Sequence, residues 1–233
     1  MNLPESALRP SRRAGLAGLA LGMAALASGC ISLLPDPGEP DIVMDLAADP
    51  TTPAVRDPLP VSLGVGIPVL TRMHGSQQIV VVGEDGSYAY LGGIRLAANA
   101  GTSVQNVVLG TFDRSGAVRG AVRSLTIARP DFELNFDLDR FDVTRPEGRT
   151  DGTARISGTA RLTVSLTGQI IATRRFEATA PARRGKPVEA VRGLEAATRM
   201  FARQAHDWTV TQLRARLDQT AAPTAAPVRP ANR

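Results

Sequence analysis

The chain has 233 residues, 43% of them hydrophobic, which is enough apolar material for one sizeable core and too little for two large domains. The formal charge is +5, and removing the first 29 residues, which carry Arg9, Arg12, Arg13 and Glu5, leaves about +3 spread among interleaved acids and bases. That balance argues against a phosphate-tracking stripe, and so against nucleic acid as a partner, while a single cysteine excludes an intramolecular disulfide framework.

Arg9, Arg12 and Arg13 open the chain with positive charge, and Ala14 to Ala27 follows with only Ala, Gly, Leu and Met. At ~1.5 Å per residue this stretch covers about two-thirds of a ~30 Å hydrocarbon core, so it reads as the apolar region of an export signal and not as a spanning helix. Leu26-Ala27-Ser28-Gly29 supplies the short side chains that a signal peptidase admits and runs directly into Cys30. The arrangement resembles the lipobox of bacterial lipoproteins. That resemblance implies cleavage before Cys30, lipid on its sulfur and an acyl group on its new amino terminus; several acyl chains at ~0.8 kcal/mol per buried CH₂ make such an anchor effectively permanent. Residue 31 is Ile and not the Asp associated with inner-membrane retention, so the same resemblance implies the periplasmic face of the outer membrane.

Prolines at positions 35, 37, 40, 50, 53, 58 and 60 mark residues 30–60 as mostly tether, with Asp41 to Ala47 as one short candidate edge strand. Alternation of Val61, Leu63, Val65 and Ile67 predicts a strand. A hairpin is expected from Ile79–Val82 and Tyr88–Leu91 around Gly83-Glu84-Asp85-Gly86, where glycine permits the positive φ of a tight turn. From Thr102 the period becomes helical, with Val104, Val107, Val108, Thr111 and Phe112 on one face, Thr102 or Ser103 as cap and Gly116 as stop. Ala117 to Val122 reads as another strand, extendable to Ile127.

Phe132, Leu134, Phe136 and Leu138 then alternate with Glu133, Asn135, Asp137 and Asp139, which predicts a half-buried strand with one acidic face. Ala154–Leu166 and Ile170–Ala178, joined through Gly168-Gln169, form a predicted antiparallel hairpin. Pro187 opens a long helix whose apolar stripe runs through Val191, Leu194, Phe201, Trp208, Leu213 and Leu217, and residues 219–233 read as a disordered tail. The expected fold class is α+β: a single mostly antiparallel or mixed sheet with two helices packed on one face, spanning residues 61–218.

Candidate chemistry is sparse. His74 and His206 stand in no metal-ligand spacing, so neither a metal nor a cofactor is expected; His74 reads as a turn or loop residue, and His206, on the last helix, as a surface or partly satisfied histidine. Ser76 lies near His74 without a G-x-S-x-G elbow, and no catalytic residue is expected. A lipid-anchored hydrolase would need a buried constellation around His74 or His206. Gly64-Val65-Gly66 lacks the third glycine of a nucleotide loop, position 69 being Val, and reads instead as a strand whose small residues admit close packing. Glu133, Asp137 and Asp139 are expected to be solvated or paired with arginines of a neighbouring strand.

Val61-Ser62-Leu63-Gly64-Val65, Gln78-Ile79-Val80-Val81, Tyr88-Ala89-Tyr90-Leu91-Gly92-Gly93-Ile94-Arg95, Leu138-Asp139-Arg140-Phe141-Asp142-Val143, Ala172-Thr173-Arg174-Arg175-Phe176 and Ala205-His206-Asp207-Trp208 together resemble the ABC-type transport auxiliary lipoprotein family. The resemblance extends over nearly all of residues 30–210. It implies a non-catalytic periplasmic component that works with an MCE-domain protein and an ABC permease and ATPase, moving phospholipid or similar apolar cargo between membranes. Exposed strand edges would allow docking by sheet extension or assembly with further copies of the chain. The alternative is a cell-envelope scaffold lipoprotein that assists assembly of another outer-membrane complex.

Overall fold

The computed structural model describes residues 41–124, 129–145, 151–183 and 186–221. Cys30, the signal region and the tail from residue 222 lie outside the described residues. In chain order the elements are β1 (Ile42–Met44), β2 (Leu59–Val65), β3 (Val69–Leu70), β4 (Val80–Val82), β5 (Tyr88–Tyr90), β6 (Ile94–Leu96), α1 (Ala100–Ser115), β7 (Val118–Arg123), β8 (Phe132–Thr144), β9 (Asp151–Val164), β10 (Ile170–Arg183) and α2 (Pro187–Ala221).

The main sheet runs β10-β9-β8-β2-β7, with β8 to β10 antiparallel and β7, β2 and β8 mutually parallel. One edge of β8 is served in succession by β2, β3 and β4, all parallel to it, and β5 closes back on β4 as the expected hairpin. The sheet is therefore mixed, and the α+β expectation holds. β2 ends at Val65, two residues short of the predicted end, because Pro68 offers no amide to a ladder and restricts Ile67, which is half-exposed.

Inside, Phe132, Leu134, Phe136, Leu138, Ile156, Leu162 and Phe176 meet the apolar stripe of α2. Close approach is achieved with small side chains: Ala154, Ala178, Ala180 and Ala182 on the strands face Ala190, Gly193, Ala197 and Ala202 on the helix. A Cβ on Gly193 would stand 2.8 Å from the Pro181 carbonyl and 3.1 Å from Ala154 Cβ, so only glycine fits that contact. Gly64 plays the same part on the outer face, where a Cβ would reach 2.7 Å from Pro130 Cγ, as the Gly64-Val65-Gly66 reading expects.

α1 begins at Ala100, earlier than predicted. Asn99 is the cap, its extended backbone (ψ 156°) presenting the carboxamide oxygen to the Thr102 amide at 2.8 Å, which leaves Thr102 and Ser103 inside the first turn. Gly116 ends the helix as expected, at φ 58° with its amide donating to the Phe112 carbonyl. β7 ends at Arg123, and residues 125–128 of its possible extension lie outside the described residues.

Between Asp41 and Pro60 the chain is tied to the domain. β1 pairs in parallel with β6 in a separate two-stranded ribbon. Leu46 and Ala48 are buried, Ala47 receives Arg199 Nε on its carbonyl (2.8 Å) and donates its amide to Glu195 (3.1 Å), and Asp49 pairs with Arg203. Tether composition in this stretch thus coexists with anchoring on α2.

Asp131 latches β2, β7 and β8 together: its carboxylate accepts the Ser62 amide and hydroxyl, each at 2.7 Å, and Arg119 at 3.2 Å. Those two Ser62 donors, with Arg119, hold the Asp131 carboxyl below the ordinary aspartate range. A depressed folded-state pKa contributes stability that is present above the unfolded value of ~3.9 and is lost as pH falls through the folded value. Wild type is therefore expected to lose stability below about pH 4 more steeply than Asp131→Asn. Urea midpoints measured between neutral pH and pH 3 check this, and parallel curves would contradict it.

Candidate functional site

On the outer face of the sheet, the acidic row expected from the alternation of β8 meets arginines across β9 and β10. Asp137 pairs with Arg161, and Asp139 accepts Arg175 Nη2 at 2.7 Å and the Ser157 hydroxyl at 2.9 Å. Burial alone would raise the Asp139 pKa, but hydrogen bonds from Arg175 and Ser157 outweigh it and hold the carboxyl low. The pairing explains why this face is charged yet balanced. It binds strands to each other and, among the described residues, leaves no unpaired carboxylate dyad there.

Beyond a register shift between Leu138 and Arg140 the inward set switches from even to odd positions, so Phe141 and Val143 enter the core while Asp142 turns outward. Asp142 is nevertheless fully buried, because the turn at Thr71–Gly75 and the β4–β5 hairpin fold over it. Val80 and Val82 are buried in this small outer layer and take no part in the main core. His74 Nε2 and Arg140 Nη1 each stand 3.6 Å from Asp142 Oδ2, and Arg155 lies directly opposite Asp142 on β9. His74 Nδ1 is bonded to the Thr71 hydroxyl at 2.8 Å, and the ring meets Tyr88 edge-on at 6.1 Å.

His206 belongs to a different cluster. Its Nε2 is 2.8 Å from Ser115 Oγ and its Nδ1 is 2.9 Å from Asp207 Oδ1, the connectivity of a serine–histidine–aspartate triad. Of the two readings open for this histidine, surface or partly satisfied, the structure gives the second: it is 7% exposed, both ring nitrogens are partnered and its ring packs 4.7 Å from Phe112. Position, not connectivity, decides what the trio does. Ser115 is 1% exposed at the C-terminal end of α1, where its hydroxyl donates to the Phe112 carbonyl (3.0 Å) and accepts the Ala117 amide (3.2 Å). A nucleophile needs donors aimed at a developing oxyanion, and a helix C-terminus presents carbonyl oxygens, the opposite polarity. The trio instead ties the end of α1 to α2.

Ser115→Ala is accordingly expected to cost about 2 kcal/mol of stability by stranding the His206 ring and the Ala117 amide. Unfolding in urea measures that loss. An unchanged midpoint together with loss of p-nitrophenyl-ester hydrolysis would reinstate a hydrolase.

No group of three or more His, Cys, Asp or Glu side chains among the described residues could hold a metal ion, and no helix among them is long and apolar enough to cross a membrane. What the surface does offer is open strand edge. Among the described residues β5 pairs only with β4 and exposes Tyr88, Ala89 and Tyr90, while the 14-residue β10 pairs only with β9.

The family model described as ABC-type transport auxiliary lipoprotein component matches residues 44–205, from the last residue of β1 to the middle of α2. The chain belongs to that family. Its fold is also that of protein XCC0632 from Xanthomonas campestris, of family DUF330, with a TM-score of 0.63 at 21% identity over 77% of this chain and 99% of the other. A second solved structure, of an uncharacterized protein, superposes with a TM-score of 0.54 at 16% identity over 72% of this chain and 96% of its own. Among curated proteins, none matches this lipoprotein in sequence.

Sequence reasoning missed both clusters. Ser115 and His206 are 91 residues apart, and Asp142 and His74 are joined only by the turn that folds over β8. One signal was present: Asp139-Arg140 interrupts the alternation of β8, which marks a bulge and a change of face after it.

Proposed function

We propose that this lipoprotein is the non-catalytic periplasmic subunit of an ABC transporter that works with an MCE-domain protein to move phospholipid or similar apolar cargo between membranes. Membership of the auxiliary lipoprotein family across residues 44–205 is the observation that carries the reading. In it, lipid on Cys30 holds the protein at the periplasmic face of the outer membrane, and the domain docks the permease–ATPase and MCE assembly there. The free edges of β5 and β10 give a physical route, because an unpaired strand offers a row of amides and carbonyls to a partner strand.

Affinity purification of the lipidated protein from membranes in gentle detergent tests the assignment. Co-elution of an MCE-domain protein with the permease and ATPase is the expected result. Their absence, with a different outer-membrane complex in their place, would replace transport with the envelope-scaffold role. For the anchor, Cys30→Ala is expected to leave the protein unprocessed or to release it from the membrane fraction on carbonate washing, whereas unchanged processing and retention would exclude Cys30 as the lipid site.

A further inference from the structure

Where β2 and β8 begin and β9 ends, the last turns of α2 overhang the sheet and leave a cleft of about 560 Å³. Its walls are apolar: Val61, Phe132 and Val164 from the strands, Leu217 from the helix and Leu166 from the β9–β10 turn. Leu166 is 77% exposed and carries the apolar wall of the cleft out onto the turn. Arg129 and Arg216 also line the cleft, and neither has a carboxylate partner among the described residues. Asp131, the one acid among the described lining residues, is already held by Ser62 and Arg119.

An apolar trough beside two guanidiniums that have no carboxylate partner among the described residues is complementary to one class of molecule. We infer that the cleft binds a single acyl chain carrying an anionic headgroup, with the chain along Phe132, Val164, Leu166 and Leu217 and the headgroup against Arg129 and Arg216. A volume of about 560 Å³ lies within the range of small-molecule sites and is of the size one acyl chain requires. Residues 222–233 follow directly from the helix that forms one wall, but Val228 is their sole large aliphatic and they add Arg229 and Arg233, so they match neither the apolar walls nor the charge. The inference rests on the cleft alone. Loss of the MCE partner in the purification above leaves it standing, and its own failure leaves the partner assignment standing.

Photo-crosslinking of the full-length protein in dodecylmaltoside tests it, using diazirine-bearing lysophosphatidylglycerol and the matching lysophosphatidylcholine as probes, followed by peptide mapping. No bilayer is present, so labelling reports a bound molecule and not a membrane surface. Adducts are expected on the peptides that contain Leu166 or Leu217, with the anionic probe favoured by about tenfold and that preference abolished in Arg129→Glu/Arg216→Glu. Leu166→Asp, a substitution on an exposed turn, is expected to reduce labelling by both probes while leaving the thermal midpoint unchanged. Adducts confined to other peptides, equal labelling by the two probes, or unchanged labelling in the double variant would overturn the site.

Discussion

Phe201→Ala is expected to lower the free energy of unfolding by about 4 kcal/mol. Phe201 is fully buried, with ring centroids 5.5 Å from Phe136 and 6.0 Å from Phe176, and Phe176 lies 5.6 Å from Trp208. Phe136 stands on β8 and Phe176 on β10, so one strand separates them. β9 places only Ala160 opposite Phe136 and Gly158 opposite Phe176, and the missing bulk makes the groove that the Phe201 ring fills. Truncation removes the ring from the junction of three strands and α2, and backbone relaxation cannot close the gap while Gly158 is pressed against the β8 backbone at Asp137 and Leu138. Phe201→Leu, which keeps most of the volume, is expected to cost about 1 kcal/mol. Trp208, the single tryptophan, reports both transitions by fluorescence in urea. Equal midpoints for Phe201→Ala and wild type would refute the packing account.

Asp142→Ala is expected to cost about 3 kcal/mol, for an electrostatic reason. The Asp142 carboxylate is fully buried, and it is the acid that faces Arg140 and His74 at 3.6 Å and Arg155 across the strand pair. Neither carboxylate oxygen has a hydrogen bond from a described residue, so its stability rests on charge, not on directed donors. Removing the acid leaves Arg140 and the His74 ring without the carboxylate that both face at 3.6 Å, and such a broken pair costs more than the intact pair contributes. Asp142→Leu/Arg140→Met, which removes charge from both sides of the ion pair, is expected to recover most of the loss. Far-UV circular dichroism during urea unfolding distinguishes the cases; a double variant as unstable as Asp142→Ala would mean that shape and not charge is at stake.

The strands and helices were legible wherever one periodicity ran uninterrupted. Phe132 to Leu138 at period two, Ile156 to Val164 likewise, and the helical stripe from Val191 to Leu217 needed no tertiary information, because alternating or 3.6-residue spacing is itself the condition for burying one face; Leu166, the last position of the predicted strand, falls instead on the exposed turn. Short elements were less so. β3 and β6 have two and three residues, too few for a period, and they exist because β8 and β1 offer edges to pair with.

By itself the sequence determined the α+β class, the acidic outer face of β8, the close packing at Gly64 and the resemblance to the auxiliary lipoprotein family, all carried by local pattern or by composition. Tertiary structure alone decided that His206 joins Ser115, that Asp142 is buried beneath His74, and that Arg129, Leu166 and Arg216 converge on one cleft. The physical reason is the same in each case. These groups come from segments far apart in the chain, and what a histidine, an aspartate or an arginine does depends on the charge and solvent around it, which local spacing does not specify.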